Sequence, residues 1–163
     1  LVHGEVSDTD MNNLYNHPKI KAMVSFTKGE GFGRPLLEFS VVKKPIIASG
    51  WSGQTDFLNN KQSFLVGGKV HKLHKSSVQK GVLLEESEWF QPEDGQVGAS
   101  YKEIYKNYKK WVPLAKQLGY KNSKEFSFEA MTKLLGEILD KSLPEFPKQV
   151  ELELPKLDLP KLQ

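Results

Sequence analysis

The chain has 163 residues, enough for one domain with a real interior. Its 38% hydrophobic and 26% charged content is that of a globular protein, and a formal charge of +3 falls well short of a nucleic-acid-binding surface. The absence of cysteine excludes disulfides, thiolate metal sites and cysteine nucleophiles and fits a reducing cytoplasm, while no apolar run approaches the ~18 residues of a membrane span.

Residues 1–6 read as a first strand. The opening Leu1-Val2-His3-Gly4-Glu5 carries neither an initiator methionine nor a signal-peptide pattern, so the expectation is a strand already under way and further sequence upstream. Ser7 or Asp8 then caps a short helix to about Asn16, with Met11, Leu14 and Tyr15 on one side and His17-Pro18 ending it. Residues 22–27 (AMVSFT) form a second strand, followed by a glycine-rich loop over 28–33 and a helix from Arg34 or Pro35 to Val42. Residues 45–49 are a third strand, continuously apolar as a strand buried on both faces is. The turn Gly50-Trp51-Ser52-Gly53 leads to a short helix over 54–60, and 63–66 make a fourth strand. This alternation predicts βαβ units: an α/β, Rossmann-like parallel sheet with helices on both faces.

The stretch 69–95 is irregular, with a short strand expected at 82–84 and Trp89-Phe90 read as a packing anchor in preference to a sugar-stacking platform. A helix over 97–118 places Tyr101, Ile104, Tyr105, Tyr108, Trp111 and Val112 at spacings of three and four, which assigns these aromatics to the buried side and most lysines to water. Pro113 should kink or split it, and Gly119 should end it. A last helix runs over 127–142 with Ser127 as cap and Phe128, Met131, Leu134, Leu135 and Ile138 on its apolar face. After Pro144 the composition becomes proline-rich, so the domain covers 1–143 and an extended tail covers 144–163. His71 and His74, if helical, would stand one turn apart as metal ligands but lack a third partner nearby, so no metal is expected.

The chemistry concentrates in Lys28-Gly-Glu-Gly-Phe-Gly-Arg-Pro-Leu-Leu-Glu38. It joins the carboxyl end of a strand to a helix start, where α/β sheets bind ligands and where free amides and the helix dipole suit phosphate. Gly31 and Gly33 let a ligand approach the backbone, and Arg34 and Lys28 add positive charge. Two acids in a phosphate site are repelled unless they accept hydrogen bonds from neutral hydroxyls, which sugars supply. Glu38, one turn inside the helix, suits a ribose diol; Glu30 suits a second sugar.

The pair Glu30 and Glu38 resembles the E-x7-E motif of retaining glycosyltransferases with the GT-B fold (glycosyl transferases group 1). The surrounding EGFGRPLLE, the preceding AMVSFT and the following PIIASGWSGQTDFL are similar to that family over residues 1–68. The resemblance implies a nucleotide-diphosphate sugar as donor, Glu30 at the transferred sugar as the catalytic carboxylate, Glu38 at the ribose, and the backbone of Gly31, Phe32, Gly33, Arg34, Pro35 and Leu36 at sugar and diphosphate. Ser52 and Gly53 match a loop near the donor, although Ser52 and Asp56 could simply cap the short helix. It also implies front-face transfer with retention, no covalent enzyme intermediate, no cofactor or obligatory metal, and a separate N-terminal acceptor domain. A chain lacking that half is expected to bind donor weakly, to transfer little, and to self-associate through open sheet edges. Two rival readings remain: a non-catalytic nucleotide-binding or interaction module, and a basic helical nucleic-acid binder.

Overall fold

The computed structural model describes residues 4–144. Three short strands, β1 (Met23–Ser25), β2 (Ile46–Ser49) and β3 (Phe64–Val66), make a parallel sheet in that order, with Met23 opposite Ile46 and Ile47 opposite Phe64. Every residue of β2 is buried, because a central parallel strand is covered on both faces; hence its unbroken apolar run. The helices are α1 (Asp8–Asn16), α2 (Arg34–Val41), α3 (Asp94–Lys106), α4 (Tyr108–Glu125) and α5 (Phe128–Ser142). The architecture is α/β.

Alternation along β2 sorts the interior into two clusters. Ile46 and Ala48 join Leu36, Phe39, Phe57, Leu58 and Leu118, with Tyr15 of α1 against them. Ile47 and Val66 join Ile104 and Trp111 on the opposite side. Helix α4 therefore serves both faces, Trp111 on one and Leu118 on the other. It lies so close to α2 that a Cβ on Gly119 would stand 2.7 Å from the Ser40 carbonyl oxygen. One turn on, buried Asn122 donates from Nδ2 to Ser40 Oγ at 2.9 Å.

Several expectations are corrected. Residues 4–6 are not strand, and 1–3 lie outside the described residues. The helix expected over 54–60 is only a 3-10 turn, Gly53–Asp56, because Asn59 Oδ1 accepts from the amides of Lys61 and Gln62 and turns the chain away. The irregular stretch contains a ribbon of β4 (Gly68–Lys72) and β5 (Glu88–Pro92), antiparallel with Val70 opposite Phe90. β4 is exposed throughout and rich in Lys and His, so it lacks the apolar alternation that marks a strand. No strand forms at 82–84, where Leu83 makes a single bridge to Gln79. His71 lies on β4 opposite Trp89 and His74 caps a 3-10 turn, so the helical metal pair does not form.

The long helix breaks at Asn107, not at Pro113, and Gly119 lies inside α4. Glu103 makes the corner: Oε2 accepts from Asn107 Nδ2 at 2.7 Å and Oε1 from Trp111 Nε1 at 3.1 Å. Pro113 lies inside α4, past its first turn, and the helix continues through it to Glu125, so the split expected at the proline does not occur. Because Ser100, Ile104 and Trp111 take the inward positions, Tyr105 is 87% exposed and Tyr101 half exposed, contrary to the buried aromatic stripe expected. In α5, Ser127 Oγ accepts from the Ala130 amide as a cap, yet none of its residues is buried, and Phe128 is 83% exposed. The expected tail beyond Pro144 lies outside the described residues. Among the described residues no helix is long and apolar enough to cross a membrane.

Gly119→Ala should cost about 1–3 kcal/mol, because α2 must move to admit the methyl group. Gly136→Ala, whose added Cβ meets nothing within 4 Å, should instead stabilise α5 by about 0.5–1 kcal/mol. Amide exchange of α5 reads the second and urea midpoints the first. Glu103 is held below the ordinary glutamate value of 4.5, first by the Asn107 hydrogen bond and then by Trp111. A depressed folded-state value stabilises above the unfolded value and is lost as pH falls through the folded one. The stability gap between wild type and Glu103→Gln, followed by urea unfolding, should therefore shrink as pH drops below 4.5.

Candidate functional site

Parallel strands bring their carboxyl ends to one edge of the sheet, and three connections leave from it: the bend over 26–33, the turn over 50–53, and the path through Gly67 into the ribbon. They are tied together. Ser49 Oγ donates to the Thr27 carbonyl at 3.0 Å, the Gly50 amide donates to Val66 at 2.8 Å, and the Phe90 amide of β5 donates to the Lys28 carbonyl at 2.9 Å.

The central tie joins Glu30 and Ser52 through the Glu30 backbone. Its amide donates to Ser52 Oγ at 3.1 Å, and its carbonyl accepts from that hydroxyl at 2.6 Å and from the Gly53 amide at 3.1 Å. Ser52 meets this geometry at φ 74° and ψ −163°, a conformation used almost only by glycine and costing about 1–3 kcal/mol elsewhere. Ser52 Oγ does not cap the following 3-10 turn. Gly53 permits the contact, since a Cβ there would overlap the Gly31 carbonyl oxygen and stand 2.7 Å from Phe32 Cα.

Beyond this tie the chain enters α2 through Gly33, left-handed at φ 85°, ψ 43° and without any side-chain cap. Pro35 stands in the first turn, and the amides of Leu36 and Leu37 bond to the Gly33 carbonyl. The amides of Gly31, Phe32, Gly33 and Arg34 find no acceptor among the described residues. They form a short row of donors at the positive end of the helix dipole.

The side chains divide. Leu36 is core, and the Phe32 ring packs 5.2 Å from Phe57 and 5.8 Å from Phe126, so both residues offer a ligand their backbone. Arg34 Nε donates to Glu38 Oε1 at 2.6 Å across one exposed turn, and this bond raises the guanidinium pKa. Both line a groove of about 250 Å³ with Asp8, Met11, Asn12, Tyr15, Val41 and Val42. Burial, and secondarily the Glu38 charge, raise the Tyr15 pKa and keep its phenol a proton donor. Glu30 is not among the lining residues of that groove. Its carboxylate makes no hydrogen bond or ion pair among the described residues, and its half-buried position comes from the backbone tie. Lys28 Nζ sits 3.2 Å from the centre of the Trp89 ring, engaged there and not aimed at the amides. Asp56 is exposed at the end of the 3-10 turn.

Sequence reasoning missed Asp8, Asn12 and Tyr15, whose place opposite Glu38 depends on how α1 docks on α2. It also missed the ribbon's part. Phe90 is indeed buried, but what it anchors is Trp51, stacked on it at 5.7 Å with 1° between planes. Among known protein families, curated proteins and solved structures, no match to this chain is found.

Ser52→Ala keeps the strained backbone but loses both hydrogen bonds to Glu30, so it should destabilise by about 1–3 kcal/mol. Ser52→Gly also loses them but relieves the strain and should lie between Ser52→Ala and wild type. Urea unfolding of the three proteins orders them.

Proposed function

We propose that this domain binds a nucleotide-diphosphate sugar at the carboxyl ends of β1 and β2, as the donor-binding half of a retaining glycosyltransferase. One observation carries the reading: four adjacent amides, Gly31 to Arg34, have no acceptor among the described residues, at a helix start that follows the Glu30–Ser52 tie and the end of a parallel strand. The ordered sequence β1-β2-β3 is what one half of a doubly wound, Rossmann-like sheet contributes, with β1 at the edge where strand order would reverse.

In this reading the amides receive the diphosphate and stabilise the charge that grows on it as the glycosidic bond breaks. Fixed donors need no reorganisation during the reaction, which is why a strained but rigid bend is worth its energetic cost. Arg34 adds charge at the same helix end, and its pairing with Glu38 orients that carboxylate. Glu38 grips the ribose diol in the groove beside Asn12 and Tyr15, and Glu30, on the other side of the amide row, accepts hydroxyls of the transferred sugar. The transfer is front-face and retaining, through departure of the diphosphate and without a covalent enzyme intermediate. The acceptor belongs to a second domain. A non-catalytic interaction module that keeps the donor cradle is the second reading, and the uncovered apolar side of α5 favours it.

Calorimetric titration with uridine and guanosine diphosphates, their sugars and free pyrophosphate tests the cradle. Glu38→Ala should weaken nucleotide and nucleotide-sugar binding about tenfold or more while leaving pyrophosphate nearly unchanged, since one charge-assisted hydrogen bond is worth about 1.5–3 kcal/mol. Arg34→Ala should weaken all three. Equal losses for every ligand in Glu38→Ala would remove the ribose role.

A further inference from the structure

The aromatic rings near the bend differ in how much of each is free. Trp89 has one face taken by Lys28, and Phe32 is packed between Phe57 and Phe126. Trp51 is different. It is 45% exposed although one face lies flat on Phe90, which is itself only 4% exposed. The open part of the indole is therefore its outer face and rim. Its surroundings are tied down on both sides: its neighbour Ser52 is bonded to Glu30, and Phe90 behind it is bonded through its amide to the Lys28 carbonyl. A large apolar ring left in water on one face gains free energy when that face is covered.

Its position selects what covers it. Trp51 directly precedes Ser52, whose hydroxyl holds the Glu30 backbone; Glu38 lies one turn into α2, facing the groove shared with α1. The indole thus belongs to the Glu30 end of the amide row and not to the Glu38 end. A hexopyranose has hydroxyls around its rim and a face of C–H bonds. Laying that face on the indole removes apolar surface from water and brings weakly positive hydrogens to the negative face of the ring. The rim hydroxyls remain for a carboxylate such as that of Glu30.

We propose that Trp51, backed by Phe90, is the stacking platform for the pyranose ring of the donor, and with Glu30 sets the requirement for a sugar beyond the diphosphate. This rests on the donor-binding reading above. A nucleobase is the competing occupant, since bases also stack on indoles; the position beside Glu30 and away from Glu38 argues for the sugar.

The test uses the full chain and two variants, Trp51→Ala and Trp51→Phe, titrated with uridine and guanosine diphosphates, with their hexose conjugates, and with methyl hexopyranosides. Trp51→Ala should weaken the hexose conjugates about tenfold and leave the bare nucleotides unchanged, with Trp51→Phe between, as stacking area dictates. Unchanged nucleotide binding also verifies that the variants are folded. Methyl hexopyranosides should shift the indole N–H resonance of Trp51, identified by its loss in Trp51→Phe, and leave that of Trp111 in place. Equal weakening of nucleotide and conjugate would assign the ring to the base and overturn the proposal, as would wild-type affinity in Trp51→Ala. Failure of the cradle looks different: no nucleotide would bind the wild type, while the methyl hexopyranosides would still move the Trp51 resonance.

Discussion

The hydroxyl of Ser52 accepts a hydrogen bond from the Glu30 amide and donates one to the Glu30 carbonyl, and the shape of the whole sheet edge follows from that pair. It joins the loops after β1 and β2, and its geometry forces a non-glycine residue into a glycine conformation. Strain of this size persists only where surrounding structure over-determines it. Here the determinants are Gly53 against Gly31, Gln54 Nε2 on the Ser49 carbonyl, and Ser49 on Thr27. Because the bend is held by its backbone, the Glu30 carboxylate and the amides after it have no partner among the described residues.

The same edge shows how a short parallel sheet obtains rigidity without length. Three strands of three or four residues would be weak alone. They are sandwiched between two apolar clusters, and α4 reaches both, so loss of either face disturbs the other. The Gly119 contact and the Asn122–Ser40 bond fix α2, and with it the direction in which its amino end points. Positioning of the candidate site is thus written into residues far from it in sequence.

The strand–bend–helix unit was legible because each part had a local cause: an apolar run, spaced glycines, a proline in the first turn. The same holds for α1 and its Ser7 cap, whose hydroxyl accepts from the Asp10 amide. What stayed hidden depends on distant partners. β4 is a strand because β5 pairs with it, although Lys69, His71 and Lys72 carry no apolar alternation. The break at Asn107 depends on Glu103 reaching both Asn107 and Trp111, a geometry that spacing alone does not disclose when a proline six residues on offers a simpler stop. For the site, Glu38 and Arg34 were readable as neighbours one turn apart; that they pair across the opening of a groove floored by α1 was not.

Helix α5 has a thermodynamic consequence of its own. Met131, Leu134, Leu135, Ile138 and Leu139 share one stripe, and each is more than two-fifths wet. A helix of 15 residues is marginal in water without tertiary burial, so its folding equilibrium is nearly decoupled from that of the sheet. Global denaturation would then report the cooperative unit ending near Phe126, with α5 melting ahead of it as a separate, shallow transition.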